Sequence, residues 1–175
     1  MEITDTGRRF VYLIDTSASM NDGGRLKLAR NQLKSSIRLL KPNQRFQVVF
    51  YGVTTTQMNL KRPQDRDLYP ATVINIHKAE REIDRVRAEK GTEHKAALKH
   101  ALRLKPDVIY FLTDGDEPRL TSADLGELLR LNSSNARVHV VEFASSQRES
   151  REVTWLQQLA SRTGGKYSRV PVKAW

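Results

Sequence analysis

The chain has 175 residues, the size of one domain, and can bury a core without disulfide or metal staples. Hydrophobic residues make up 38% and charged residues 29%, which argues against disorder as the main state; zero cysteines exclude disulfides, cysteine zinc sites and a thiol nucleophile. The net charge of +10 favours anionic partners, yet the basic residues are scattered over "RLKLARNQLKSSIR", "KAEREIDRVRAEK" and "KHALRLK", which read as solvated helix faces. Aromatic residues are only 7% and sit mostly inside apparent strands, so a stacking platform for single-stranded nucleic acid is not favoured.

The opening "MEITDTGRRF" lacks the apolar segment of a signal peptide, and no apolar run approaches the roughly 20 residues of a membrane helix. The chain reads as soluble, and the compartment is left open, since a domain cut from a longer membrane-anchored or exported protein would look the same. The first element is "FVYLI" (10–14), a nearly continuous apolar strand expected to be buried on both faces, which stops at Asp15 and runs into "DTSASM". Leu26, Ala29, Leu33, Ile37 and Leu40 then recur at helical spacing. "RFQVVFY" (45–51) is the second strand, and strand character continues across Gly52 with no room for a helix, which predicts a tight hairpin. The stretch from Leu60 to Ala71 is the least regular and reads as a surface excursion.

Ile76, Ala79, Ile83 and Val86 mark the next helix, and "DVIYFLT" (107–113) a second strand apolar on both faces. A helix with Leu125, Leu128 and Leu129 follows a cap at Thr121 or Ser122; "RVHVVEF" (137–143) is a strand; Val153, Leu156 and Leu159 mark a last helix with Ser150 as its candidate cap. Gly164 and Gly165 read as a C-cap and turn before a final strand in "KYSRV". This order predicts one domain over 1–175, a Rossmann-like, doubly wound α/β fold. Its sheet would be six-stranded and mostly parallel, with one antiparallel edge strand and helices on both faces.

In such a sheet, ligands bind beyond the carboxyl ends of the strands, where the chain order reverses. Asp15 ends the first strand and Asp114 the fourth, so the two carboxylates become neighbours if the second and fourth strands flank the first. Neighbouring carboxylates repel unless positive charge lies between them. Ser17 and Ser19, two and four residues after Asp15 in a non-helical loop, can turn inward on the same side. The resulting all-oxygen set suits a hard divalent ion such as magnesium or manganese, with calcium as a larger alternative.

"DTSASM" resembles the D-x-S-x-S signature of von Willebrand factor type A domains, the metal-ion-dependent adhesion site (MIDAS). The likeness extends from "FVYLIDTSASM" to "GGKYSRV", and "LKPNQRFQVVFYG", "LKPDVIYFLTDG" and "LNSSNARVHVVEF" resemble a bacterial branch of that family. The resemblance implies that Thr92, in "KGTEHKAALKHAL", and Asp114, in "FLTDGDEP", complete the ligand set, with Asp114 often acting through water. It implies a non-enzymatic protein-binding module in which a partner's Glu or Asp carboxylate fills the ion's sixth position. Departures are Ala18 between the serines, where glycine is common, and Lys90-Gly91-Thr92-Glu93 in place of a glycine-glycine-threonine run. Lys90 and His94 are expected to bring positive charge to the rim and weaken the cation's hold, with His94 a partly exposed residue on a helix's first turn. His77, His100 and His139 read as ordinary helix or strand residues, and Asp116 and Glu117 as a solvated turn at the mouth.

Two other classes are weighed. A metal-dependent phosphohydrolase or phosphotransferase would also place acids at strand ends, but there is no G-x-x-x-x-G-K-[ST] loop and no second aspartate next to Asp15. A scaffold in a nucleic-acid-associated assembly fits the basic charge, and steep weakening with salt would identify it.

Overall fold

The computed structural model describes residues 5–60, 67–89, 91–115, 117–145 and 153–172. Among the described residues, seven strands form one mixed sheet: β1 (Arg9–Asp15), β2 (Arg45–Tyr51), β3 (Thr55–Gln57), β4 (Tyr69–Pro70), β5 (Val108–Thr113), β6 (Arg137–Ser145) and β7 (Tyr167–Val172). Five α-helices of the described residues accompany them: α1 (Arg25–Arg38), α2 (Val73–Arg85), α3 (His94–Arg103), α4 (Ser122–Leu131) and α5 (Trp155–Arg162). The strand order is β3-β2-β1-β5-β6-β7, with β4 also paired to β2. Strands β1, β2, β5, β6 and β7 are parallel, while β3 and β4 run antiparallel to β2.

Strand β1 alternates Phe10, Tyr12 and Ile14 toward one core with Val11 and Leu13 toward the other. A run apolar at every position can satisfy two cores only if both faces are covered, and both are. Leu26, Ala29, Leu33 and Ile37 of α1 and Ala79 and Ile83 of α2 close the first face; α3, α4 and α5 close the second through Ala97, Leu98, Leu125, Leu128, Leu156 and Leu159. The hairpin expected at Gly52 is present: Tyr51 faces Thr55 across β2 and β3, and the Gly52 amide donates to the Thr54 carbonyl at 3.0 Å.

The structure corrects three local expectations. Residues 61–66 lie outside the described residues, but the segment after them is no surface excursion: Leu68, Tyr69 and Ala71 are buried, and β4 adds a seventh strand by pairing Tyr69 with Phe46. Apolar side chains with a free strand edge beside them gain more from joining the sheet than from solvent. The cap of α5 is Thr154, whose side chain and that of Gln157 satisfy each other's backbone amides, while Ser150 lies outside the described residues. Val153 therefore precedes the helix and is exposed rather than on its buried face. For α4 the cap is Thr121, boxed with Asp124.

Some of the basic charge is paired between helices. Lys95 of α3 reaches Asp124 and Glu127 of α4 at 2.6 and 2.7 Å, and Lys34 of α1 reaches Asp84 of α2 at 2.6 Å. Hydrogen bonds from Lys95 and then Lys99 hold the Glu127 carboxyl down to about 2. At the opposite end of the sheet, Asp5 ties the segment before β1 to β6 by accepting from Arg137 Nε and His139 Nε2, both at 2.6 Å. His139 Nδ1 accepts the Lys166 amide at 2.9 Å, so Nε2 is the nitrogen that carries the proton toward Asp5.

Partial burial works against the Asp5 carboxylate, but the Arg137 and His139 hydrogen bonds outweigh it and lower its pKa. A carboxyl group lowered in the folded state stabilises above its unfolded pKa and loses that contribution as pH falls through the folded one. The midpoint of thermal unfolding in Asp5→Asn should therefore lie below wild type at neutral pH, with the gap closing below about pH 4. In the core, Leu33→Ala should cost about 2–5 kcal/mol in urea denaturation, since Leu33 has no solvent exposure.

Candidate functional site

Because β1 is flanked by β2 and β5, the reversal of chain order falls between β1 and β5, and the residues after their carboxyl ends share one crevice. Ile14 faces Leu112, so Asp15 comes level with Thr113, and Asp114 lies immediately beyond the strand. Asp15, Ser17 and Asp114 are buried, with 0%, 2% and 2% exposure; Ser19 is half-buried and Ala18 exposed.

The Asp15 carboxylate is held by donors from three elements. Oδ1 accepts the Ser17 amide at 2.8 Å; Oδ2 accepts Thr113 Oγ1 at 2.8 Å and the Tyr51 hydroxyl at 3.1 Å. Burial first, then the adjacent Asp15 charge, push the Tyr51 hydroxyl well above its ordinary pKa, so it stays protonated and donates. The Tyr51 oxygen lies 2.9 Å from His94 Nδ1, and the His94 ring packs against Trp155 and Phe111 with centroids 5.1 and 6.1 Å away. His94 is thus fully buried behind the site, not part-exposed at its rim, because the first turn of α3 faces the second core. Lys90 and Asp116 lie outside the described residues.

After Asp15 the chain enters a 3-10 turn, Ala18–Gly24, anchored by Met20, whose side chain has no exposure. This turn sets the Ser17 and Ser19 hydroxyls 3.1 Å apart. The Thr92 loop is brought alongside by backbone bonds: the Glu89 amide donates to Thr16 O at 2.6 Å, and the Glu93 amide to Gly52 O at 2.9 Å. Gly91 makes that approach with φ +78°, and a Cβ there would come within 2.3 Å of Val53. Thr92 itself is half-buried, and its hydroxyl makes no hydrogen bond among the described residues. Arg25, the first residue of α1, enters the crevice from the other side: its Nη1 donates to Ser19 O at 3.0 Å and to Asp114 Oδ2 at 3.3 Å. No motif singled out Arg25 in the sequence; only its place one turn after the serines could have drawn attention to it.

The donor set can be tested against a hard cation. An octahedral ion about 2.1 Å from each oxygen places adjacent ligand oxygens about 3.0 Å apart, close to the separation of the two serine hydroxyls. Asp15 is oriented by outer hydrogen bonds in the way metal-binding carboxylates commonly are. No group of three or more His, Cys, Asp and Glu side chains that could hold a metal occurs among the described residues, so any such ion would depend on hydroxyl oxygens.

The sheet and its crevice define a doubly wound α/β domain with a polar site at the switch point. The profile of the von Willebrand factor type A domain matches residues 8–169, and the chain belongs to that family, whose members commonly mediate protein interaction and adhesion. A von Willebrand factor type A protein from Catenulispora acidiphila is similar at TM-score 0.75 and 22% identity; the match covers 95% of this chain but only 39% of that one. The conserved hypothetical protein BatB from Bacteroides thetaiotaomicron is similar at TM-score 0.71 and 15% identity, covering 95% and 92%. Proximal thread matrix protein 1 from the mussel byssus, with a zinc-occupied MIDAS motif, is similar at TM-score 0.61 and 15% identity, covering 96% and 44%. No curated protein matches the chain. No helix among the described residues is long and apolar enough to cross a membrane.

Tyr51→Phe removes a donor from Asp15 and leaves His94 Nδ1 without its hydroxyl partner. It should lower the unfolding free energy by about 1–3 kcal/mol in urea denaturation, while Tyr167→Phe, away from Asp15, leaves the crevice unchanged.

Proposed function

We propose that the domain binds magnesium or manganese through Asp15, Ser17, Ser19, Thr92 and Asp114 and uses the ion to hold a Glu or Asp carboxylate of a protein partner. The observation that carries the reading is the pair of serine hydroxyls 3.1 Å apart beside the buried, triply hydrogen-bonded Asp15. Three neutral hydroxyls and two carboxylates balance a divalent ion without saturating it, so the bound ion would supply an electrophilic position for an outside carboxylate. The zinc-occupied MIDAS of the byssus protein and the bacterial origin of the Catenulispora and Bacteroides proteins support this reading and a bacterial branch of the family.

Binding is favoured over catalysis by where the nearest imidazole points. His94 faces the Tyr51 hydroxyl beneath the crevice, and Tyr51 is committed to Asp15, so neither is directed at a ligand as a general base. The role of the Ser17 amide, Thr113 and Tyr51 is to hold the Asp15 carboxylate in a single orientation. That of the 3-10 turn is to present two hydroxyls to the same point.

Calorimetric titration of metal-free protein with magnesium and manganese should give saturable heat that disappears in Asp15→Ala and weakens by roughly ten-fold or more in Ser19→Ala, with both variants checked for folding by circular dichroism. Binding that persists undiminished in Asp15→Ala would sink the assignment. Partner capture should be lost on adding a chelator and should fall only modestly with salt; the steep salt dependence of counterion release would instead indicate a nucleic acid.

A further inference from the structure

The charge at the crevice is already partly met from within the chain. Asp114 has a side chain 1% exposed, and Arg25, 16% exposed, stands 3.3 Å from it. A carboxylate at that depth needs hydrogen-bond donors or a compensating charge; Asp15 has neutral donors, whereas Asp114 faces a guanidinium that remains charged at any physiological pH. The same Nη1 holds the carbonyl of Ser19, so the guanidinium sits between the serine turn and Asp114, on the two sides that a metal would have to bridge.

We propose that Arg25 is a tethered cation that holds the charge of Asp114 and competes with the divalent ion for it. The inference rests on the metal-binding reading above and adds a property specific to this chain. Counting these three side chains alone, Asp15 and Asp114 carry one negative charge each and Arg25 one positive, so Arg25 offsets one of the two charges that would otherwise face a divalent ion. An ion alone is therefore opposed by the nearby guanidinium, and a carboxylate arriving from outside offsets that opposition. Arg25 lowers the affinity for free metal and raises the dependence of metal binding on an acidic ligand. A simple brace would act in the opposite direction: if Arg25 served only to hold the serine turn through the Ser19 carbonyl, its removal would loosen the turn and weaken metal binding.

The test is magnesium and manganese calorimetry on the full chain as wild type, Arg25→Gln and Arg25→Lys. Arg25→Gln should bind either ion about ten-fold more tightly than wild type, and Arg25→Lys, which keeps the charge, should stay within about three-fold of it. Added acetate should tighten metal binding by wild type more than by Arg25→Gln. In the wild type, the guanidinium NMR signal assigned to Arg25 by its loss in Arg25→Lys should shift on adding magnesium, with the calorimetric midpoint. An Arg25 signal that stays still while metal binds overturns the competition even where Arg25→Gln does not fold, and the sign of the Arg25→Gln change separates competition from a brace. Equal or weaker binding by folded Arg25→Gln, or an Arg25 signal that stays still while metal binds, overturns the competition and leaves the metal site standing. Absence of binding by wild type and both variants overturns the competition and the metal site together.

Discussion

A carboxylate with no solvent exposure, Asp15, sits at the end of the central strand, and its charge is tolerable only because an amide and two hydroxyls converge on it. Each donor comes from a different part of the chain: Ser17 from the loop after β1, Tyr51 from β2 and Thr113 from β5. Ser17 reaches it locally, but Tyr51 and Thr113 reach it only if β1 lies between β2 and β5 in the observed register, where Asp15 faces Tyr51 and Ile14 faces Leu112. The hydrogen bonding of one side chain and the topology of the sheet are thus the same constraint seen at two scales.

That constraint extends into both layers around the sheet. Tyr51, fixed by Asp15, fixes His94 at the start of α3, and His94 packs on Trp155 at the start of α5. Beyond Asp114, Gly115 adopts φ +69°, and a Cβ there would come within 2.7 Å of Leu156, so α5 closes directly against the loop that carries the second carboxylate. The crevice is consequently built on rigid elements, with the 3-10 turn held by Met20 and the Thr92 loop held by backbone bonds to Thr16 and Gly52.

Part of the basic charge behind the net +10 is met within the domain. Lys34, Arg38, Lys95 and Lys99 are engaged with carboxylates of neighbouring helices, where they serve packing of α1 on α2 and α3 on α4. Arg25, which reaches the crevice, reads in the sequence only as the first residue of a basic helix face and is instead largely buried. Its importance comes from a position one turn past the serines, which lets it reach Asp114 across 89 residues of sequence.

Apolar runs at 10–14 and 107–113 and the three- and four-residue steps of α1, α2 and α4 were legible because local periodicity reports how many faces an element buries. The spacing of Asp15, Ser17 and Ser19, and the placement of Asp114 after a strand, were legible for the same reason: they are local relations read along one chain. Pairing of β4 with β2, burial of His94 and the Thr154 cap were not, since each is decided by what a segment meets in space. The sequence by itself determined an α/β alternation and the order along the chain of the oxygen-bearing residues proposed as ligands. Only the tertiary structure decided that Tyr51 and Thr113 hold Asp15 and that Arg25 holds Asp114, because those contacts join residues 36 to 98 positions apart whose meeting depends on strand order.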